Sequence, residues 1–268
     1  MESYLNLLKK IKDEGVYTMD RTGVGRHRIF GTQTRYDLSN GTLPVVTTRK
    51  VFTDAIIKEL LWFISGSYSA LELKEQGVKI WDAWAVTEKD VEAFADKYSD
   101  GNEDVKNTLI SYGKNGFLGS IGKMYGAMWR NAPRESVLEV WPDVPQADLP
   151  SDKLAIWSKD YDRFLQAHHD KSEAPSFEDY CKHMYYGTVD QLNELILNLK
   201  ATPYSSRLIV NAWVPSLIPF ERHGIKPQEN VLLQRGALAP CHAMFQCFAT
   251  PSPVEGGKPK LSLLMYQR

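Results

Sequence analysis

The stretch ALAPCHAMFQCF, residues 237–248, sets one cysteine, Cys241, directly after a proline and before an apolar, aromatic-rich run. Proline fixes its own backbone and donates no hydrogen bond, so it suits a strand entrance, and the run beyond it predicts a buried strand. Such a strand would hold the thiol rigidly, which is what covalent catalysis requires of a nucleophile. Taken alone, Cys241 fits a small buried side chain better, because free cysteines usually pack in protein cores.

Helices and strands alternate on both sides of this segment. Apolar residues at helical spacing predict an N-terminal helix that ends near Gly15, and further helices over residues 52–63, 70–76 and 189–199. Other apolar runs predict strands at residues 26–38, 45–46, 207–213, 241–249 and 261–266. The pattern predicts an α/β (α+β) fold in which helices flank a mixed β-sheet.

Two tracts interrupt this pattern. Residues 86–117 are polar and acidic, and residues 131–185 are rich in proline, aspartate and lysine. We interpret both as surface insertions in a single domain that covers residues 1–268, the second with a short helix over residues 154–167.

Composition argues against several classes of protein. The 268 residues carry a formal net charge of -1, so no overall field favours nucleic acid, and an anionic ligand would need local arginines. The three cysteines, Cys181, Cys241 and Cys247, show no CxxC spacing, which argues against a disulfide framework or a zinc ribbon. The N-terminus has no signal-peptide core, and no window reaches membrane-spanning length. A reducing cytoplasm is the expected location.

Several polar and aromatic residues are candidates for a site. Glu59 lies inside an apolar helix, where its carboxylate is either solvated at an edge or held in a watery cleft and able to move protons. Arg21, Arg207 and Arg268 lie near the ends of predicted elements, which suits phosphate recognition, although a surface salt bridge explains each one more simply. The aromatic candidates for stacking on a heterocycle, or for ordinary core packing, are Trp81, Trp84, Tyr125 and Trp129.

Two other constellations carry less weight. Cys241 and His242 are adjacent, so on a strand their side chains point to opposite faces and cannot form a thiol–imidazole dyad. His168, His169 and Asp170 lack the spacing of a metal site, and a solvated turn explains them better. The sequence also has no GxGxxG fingerprint after a strand and no Walker loop.

Several motifs occur in an order that resembles one known family. They are DRTGVG at 20–25, TLPVVTTRK at 42–50, KELLWFISG at 58–66, IWDAWA at 80–85, YGAMWR at 125–130, DQLNELILNLK at 190–200, RLIVNAW at 207–213, LAPCHAMFQCF at 238–248 and MYQR at 265–268. Together they resemble the thymidylate synthases and cover most of the chain outside the two tracts. This joint match outweighs the simpler explanations of the single residues.

The resemblance implies a reductive methylation of deoxyuridine monophosphate (dUMP) to dTMP, with 5,10-methylenetetrahydrofolate as the donor of carbon and hydride. Cys241 would add to C6 of the pyrimidine, Glu59 would organise water and protons at the O4 side, and Tyr125 would assist removal of the C5 proton. Trp81 and Trp84 would face the folate. The residues implied to hold the nucleotide are Arg21, Arg207, Arg268, His242 and Gln267.

The resemblance also implies a homodimer, in which Arg207 would reach the phosphate bound by the second subunit, and it implies no metal. The chain departs from the family pattern at Ser206, where the first of two consecutive arginines is usual, so one phosphate contact is expected to be lost. The family also continues beyond the YQR motif. The chain therefore resembles a C-terminally incomplete enzyme, expected to need a complementary segment or a second polypeptide for turnover.

Two alternatives stay open. In a hydroxymethylase of the same fold acting on dUMP or dCMP, water rather than hydride would capture the methylene intermediate, although the presence of both Trp81 and Trp84 favours the synthase. The other alternative is a non-catalytic binding or assembly module built on the same fold.

Overall fold

The computed structural model describes residues 2–19, 23–133, 188–220 and 225–268. The chain divides into two compact units, residues 1–56 and residues 57–268, and each is described by itself.

The first unit begins with a helix and a β-hairpin. Helix α1 spans Glu2–Glu14, and Gly15 ends it by donating its backbone N–H to the carbonyl of Ile11 at 3.0 Å. Strands β1 (Val16–Met19) and β2 (Gly25–Arg28) pair antiparallel. The predicted end of the first helix is confirmed.

The strand predicted at residues 26–38 is wrong beyond Arg28. Its partner β1 has only 4 residues, so the ladder of backbone hydrogen bonds ends there. Phe30 is 98% exposed, and no packing holds the following segment as a strand. The short strand predicted at residues 45–46 is also wrong, because these residues are described as irregular. An apolar pattern without a partner to pair with does not make a strand.

The second unit begins within helix α2. This helix spans Thr53–Ser65 and buries Trp62 and Phe63. Helix α3 (Ala70–Glu75) follows after a turn and buries its own apolar side. The helices predicted at residues 52–63 and 70–76 are therefore confirmed.

The polar tract after residue 86 contains a helical hairpin that the sequence patterns did not predict. Helices α4 (Glu88–Tyr98) and α5 (Glu103–Gly116) pack against each other where a Cβ on Gly113 would lie 2.5 Å from Val91. Glycine is required there because any side chain would hold the two helices apart. Thr87 opens α4 with a capping box, which satisfies free N–H groups of the first turn. The interpretation of this tract as an insertion stays a prediction.

The next elements lead towards the main sheet. Helix α6 (Tyr125–Asn131) is buried from its first residue to Trp129. A short antiparallel pair, β3 (Ala132–Pro133) and β4 (Thr188–Val189), connects it to helix α7 (Gln191–Ala201). The predicted helix at residues 189–199 is confirmed as α7.

Three antiparallel strands form the main sheet, in the order β5–β6–β7. They span Ile209–Asn211, His242–Thr250 and Lys260–Gln267 and confirm the strands predicted in these regions. Alternate residues of β6 are buried, so one face of this strand lies on the core. The buried residues are Ala243, Phe245, Cys247 and Ala249.

On β7, the face that continues the buried face of β6 is exposed to solvent. Leu263 pairs with Cys247 and Leu261 pairs with Ala249, so these two leucines continue the buried face of β6. Leu261 is nevertheless 56% exposed and Leu263 is 57% exposed. The core therefore extends across β6 and ends at β7.

A further short helix contacts the helical hairpin formed by α4 and α5. Helix α8 (Pro227–Leu232) carries Glu229, which accepts a hydrogen bond from the Tyr98 hydroxyl at 2.8 Å and forms an ion pair with Lys97. Burial, the largest influence, raises the pKa of Glu229, but these two hydrogen bonds lower it below its ordinary value.

Helices packed with small antiparallel sheets confirm the predicted α/β (α+β) fold class. The single-domain interpretation of residues 1–268 stays a prediction. Among the residues described, no helix is both long and apolar enough to cross a bilayer. Five predictions lie outside the described residues: Arg21, the insertion at 131–185 beyond Pro133, the helix at 154–167, the His168–Asp170 cluster and Cys181.

Candidate active site

Close packing between α2 and α6 brings the aromatic candidates together. A Cβ on Gly126 would lie 2.3 Å from the carbonyl oxygen of Phe63, so α6 approaches α2 only because glycine stands there. The ring centroid of Tyr125 lies 4.7 Å from that of Phe63 and 6.2 Å from that of Trp81. The Gly126 approach and the contact between the Tyr125 and Phe63 rings thus hold the first turn of α6 against α2.

Cys241 lies one residue before β6 with its side chain exposed. Its backbone N–H donates to the Tyr125 hydroxyl at 2.8 Å. Its backbone carbonyl accepts from the N–H of Arg268 at 3.0 Å. The backbone of the candidate nucleophile is therefore held on both sides while its sulfur stays accessible.

Tyr125 is a buried phenol, 5% exposed. This burial raises the pKa of Tyr125 to about 12, because a phenolate would be poorly solvated there. The hydroxyl therefore keeps its proton at physiological pH. It accepts a hydrogen bond from Cys241 and retains one O–H to donate.

Glu59 lies on α2, half-buried, and accepts a hydrogen bond from the Trp81 indole nitrogen at 2.7 Å. This bond occupies one oxygen and orients the carboxylate. Trp84 packs edge-on against Trp81, with the ring centroids 5.6 Å apart, and is itself half-buried. Glu59, Trp81, Trp84 and Tyr125 thus form one connected cluster.

Arg268 reaches the same region from the end of β7. Its guanidinium donates to the carbonyl of Ala239 at 3.0 Å and lies over the Trp213 ring at 5.6 Å. The preceding residue, Gln267, pairs with His242 across the β6–β7 ladder. The ring of His242 lies 5.7 Å from that of Tyr125. Arg268, Gln267 and His242 therefore lie close to Cys241 at the start of β6.

Arg207 is not brought to this cluster. It is exposed in the turn before β5, where the neighbouring Ser206 carbonyl accepts a hydrogen bond from the Gln246 amide at 2.7 Å. Gln246 lies five positions beyond Cys241 along β6, which corresponds to roughly 17 Å at the rise of a strand. The Arg207 side chain is therefore too short to reach Cys241 of the same chain.

Trp129 belongs to the core rather than to a stacking surface. It is 5% exposed and packs edge-on against Phe245 of β6. Sequence reasoning did not single out Trp213 or Gln191 as residues that organise this region. The only sequence signal for either is its place inside the motifs RLIVNAW and DQLNELILNLK.

Comparison with known proteins places this arrangement in a family. Residues 2–268 match the family model described as thymidylate synthase. The chain belongs to the thymidylate synthase family. It is 32% identical over 268 residues to the thymidylate synthase of Francisella philomiragia subsp. philomiragia, and 31% identical to that of Francisella tularensis subsp. holarctica (strain LVS). The predicted resemblance is confirmed.

These thymidylate synthases are longer than the chain. The alignments cover 100% of the chain and 64% of each relative, so the chain spans less than two thirds of their length. Within the part of the chain that the structure describes, no group of three or more His, Cys, Asp or Glu side chains is placed to hold a metal ion.

Proposed function

We propose that the chain acts as a thymidylate synthase, a transferase of the methyltransferase class that converts dUMP to dTMP with 5,10-methylenetetrahydrofolate. The observation that carries the proposal is the exposed Cys241 on a backbone anchored by Tyr125 and Arg268. The Tyr125 ring in turn packs against Trp81, which donates a hydrogen bond to Glu59. Membership of the family supports the reaction class. The cytoplasm is the proposed location.

Cys241 would begin the reaction as a nucleophile. Its thiolate would form a bond to C6 of the pyrimidine, and the electrons of the C5–C6 double bond would move onto C5 and O4 as an enolate. An uncharged uracil resists electrophiles at C5, so this temporary bond divides one difficult substitution into two accessible steps. The anchored backbone fixes the position from which the sulfur attacks.

Glu59 would transfer protons at the O4 side of the pyrimidine ring. The hydrogen bond from Trp81 orients its carboxylate, which would hold water near O4 and move a proton to and from that oxygen. Water-mediated transfer of this kind needs a fixed carboxylate rather than direct contact with the substrate.

Tyr125 would assist removal of the C5 proton. A phenol with a pKa of about 12 is almost never ionised at neutral pH, so it would act by ordering an acceptor water and not as a free phenolate. Its remaining O–H is the group that would bind this water.

Arginines would hold the substrate phosphate. Arg268 lies beside Cys241 in the same chain, whereas Arg207 is too far from this Cys241 to serve the same site. This separation supports a homodimer in which Arg207 serves the partner's site. The other residues proposed for nucleotide binding are Arg21, His242 and Gln267.

Trp81 and Trp84 would shelter the folate. The half-buried Trp84 ring, braced edge-on by Trp81, fits a flat heterocycle of this kind. When bound, the folate supplies the one-carbon unit and the hydride. Exclusion of water by these rings would favour hydride over water and so a methyl product.

A product assay tests the proposal. The protein is incubated with dUMP and methylenetetrahydrofolate, alone and with a polypeptide that supplies the part of the Francisella relatives that the chain does not cover. The nucleotide product is identified by mass. We expect dTMP from the complemented protein and little turnover from the chain alone. A hydroxymethyl product would assign the hydroxymethylase reaction instead, and bound nucleotide without product would assign a non-catalytic module.

Two cysteine variants sharpen this assay. Cys241→Ser should abolish both the product and the covalent complex with a 5-fluorinated nucleotide and folate. Cys247→Ala is the matched control, because this second cysteine is buried in β6 and faces the core. Loss of the adduct in both variants alike would argue against a specific role for Cys241.

A further inference from the structure

Gln191, the first residue of α7, makes three hydrogen bonds with one side-chain amide. Its nitrogen donates to the carbonyl of Met128 at 2.7 Å and to the carbonyl of Asn211 at 2.8 Å. Its oxygen accepts the backbone N–H of Asn211 at 2.9 Å. One side chain therefore joins α7 to α6 and to β5.

Each partner is a backbone group at the end of a helix or on an edge strand. The Met128 carbonyl belongs to the last turn of α6, where carbonyls have no intrahelical N–H to accept. Asn211 lies on the edge strand β5, and the Gln191 amide takes the place that a further strand would occupy. Leaving such groups unpaired costs stability, so these bonds hold the elements in one arrangement.

Asp190, the residue before Gln191, also connects α7 to α6. Asp190 forms an ion pair with Arg130 of α6 at 2.9 Å and also caps α7 by accepting the N–H of Asn193. Gln191 adds hydrogen bonds to Asn211 of the main sheet. It thus joins α6, which begins at Tyr125, to β5, and β5 pairs with the strand β6 that follows Cys241.

We infer that Gln191 is a positioning residue that fixes the distance between the Tyr125 hydroxyl and the backbone N–H of Cys241. Tyr125 moves with α6, whereas Cys241 is joined to β6, which pairs with Asn211 of β5 through Met244. Loss of the Gln191 amide removes the hydrogen bonds that tie α6 to β5 and weakens the hydrogen bond between Tyr125 and Cys241. The catalytic consequence rests on the function proposed above, whereas this geometric claim requires no turnover.

Amide hydrogen exchange at Cys241, followed by NMR, tests the inference. Gln191→Met keeps the size of the side chain and removes all three hydrogen bonds, and it should speed exchange of the Cys241 amide by about tenfold. Exchange of the Ser99 amide, bonded to the Ala95 carbonyl at the end of α4, is expected to stay unchanged. Gln76→Met is the matched control, since the Gln76 side-chain amide, directly after α3, donates to the Glu72 carbonyl of that same helix.

A double-mutant cycle separates positioning from general support of the fold. Tyr125→Phe removes the acceptor of the Cys241 N–H, so adding Gln191→Met to it should produce no further increase at this amide. Additive effects in the double variant, or an equal increase at Ser99 and Cys241, would overturn the inference. If Gln191→Met does not fold, Gln191→Glu replaces it, because it keeps the acceptor for Asn211 and loses both donor bonds. If the complemented protein forms no product while the chain shows the predicted exchange pattern, the proposed function is wrong and the positioning role of Gln191 is retained.

Discussion

At the scale of single residues, the least usual group is the Tyr125 phenol, which is buried and hydrogen-bonded to a backbone N–H rather than to a charge. A neutral phenol can be buried at the start of α6 while its hydroxyl contacts the backbone of Cys241. Ionisation of this group would place a poorly solvated negative charge beside the thiol, so the site is built around a protonated tyrosine.

This protonation gives a stability prediction at high pH. Burial raises the pKa of Tyr125 from 10.0 to about 12, so the folded chain keeps this proton at pH values where the unfolded chain has lost it. The free energy of unfolding should therefore fall as pH rises through this window, with a loss on the order of 2 kcal/mol from this group. Urea unfolding of the native chain and of Tyr125→Phe at a series of pH values measures it. Parallel curves for the two proteins would contradict a buried neutral phenol.

Ser206 gives a second prediction at this scale. Its side chain is exposed beside Arg207, where the family pattern has a further arginine. Ser206→Arg should tighten dUMP binding by roughly tenfold or more, because a charged hydrogen bond to phosphate contributes about 1.5 to 3 kcal/mol. Calorimetric titration with dUMP measures the change. Ser111→Arg on the exposed surface of α5 adds the same charge elsewhere, and an equal gain from that variant would point to net charge alone.

Several site residues could be predicted from the sequence because their chemistry stands out against their surroundings. Glu59 is a charge inside an apolar helix, and Cys241 is a thiol behind a proline. Gln191 could not be found in this way, since a polar residue at the start of a helix looks like any solvated one. Its three partners are backbone groups of elements distant in sequence, which only the folded chain brings together.

At the scale of elements, the site depends on how closely α6 approaches α2. Gly126→Ala should destabilise the protein by about 1 to 3 kcal/mol, because the new methyl would meet the Phe63 backbone and force the helices apart. Gly116→Ala is the matched control, since a Cβ there meets nothing within 4 Å at the end of α5. Thermal or urea unfolding of both variants checks the difference. Equal stabilities would show that α6 can shift at little cost.

The elements also show where sequence patterns fail. The helix at residues 52–63 and the strand at residues 241–249 were predictable because each pattern matches one period and the structure supplies a partner surface. Helices α4 and α5 were missed because their apolar stripe is narrow amid charged residues. Thr87 and Asp90 do carry the signature of a capping box, which was the available signal for α4. The strand beyond Arg28 was overpredicted, since pairing is not encoded in a local pattern.

At the scale of the whole chain, the main sheet carries apolar side chains on both faces of its edge strand. Leu261 and Leu263 continue the buried face of β6 but remain exposed, so this inner face is where additional polypeptide would pack. Ile209, Phe248 and Leu264 are exposed on the opposite, outer face. Arg207 lies two residues before Ile209, which places the arginine proposed to serve a second subunit at the rim of the outer face.

We therefore propose the outer face as the interface of the proposed homodimer, and two adjacent leucines can test this. Leu264→Lys puts a charge on the outer face and should shift the protein from dimer to monomer in sedimentation velocity, because burying an unpaired ammonium is costly. Leu263→Lys puts the same charge on the inner face of the same strand and should leave the dimer intact while reducing non-specific aggregation. Dissociation by Leu263→Lys and not by Leu264→Lys would assign the interface to the inner face. In that case Arg207, which lies at the outer rim, would lose its proposed role across the dimer.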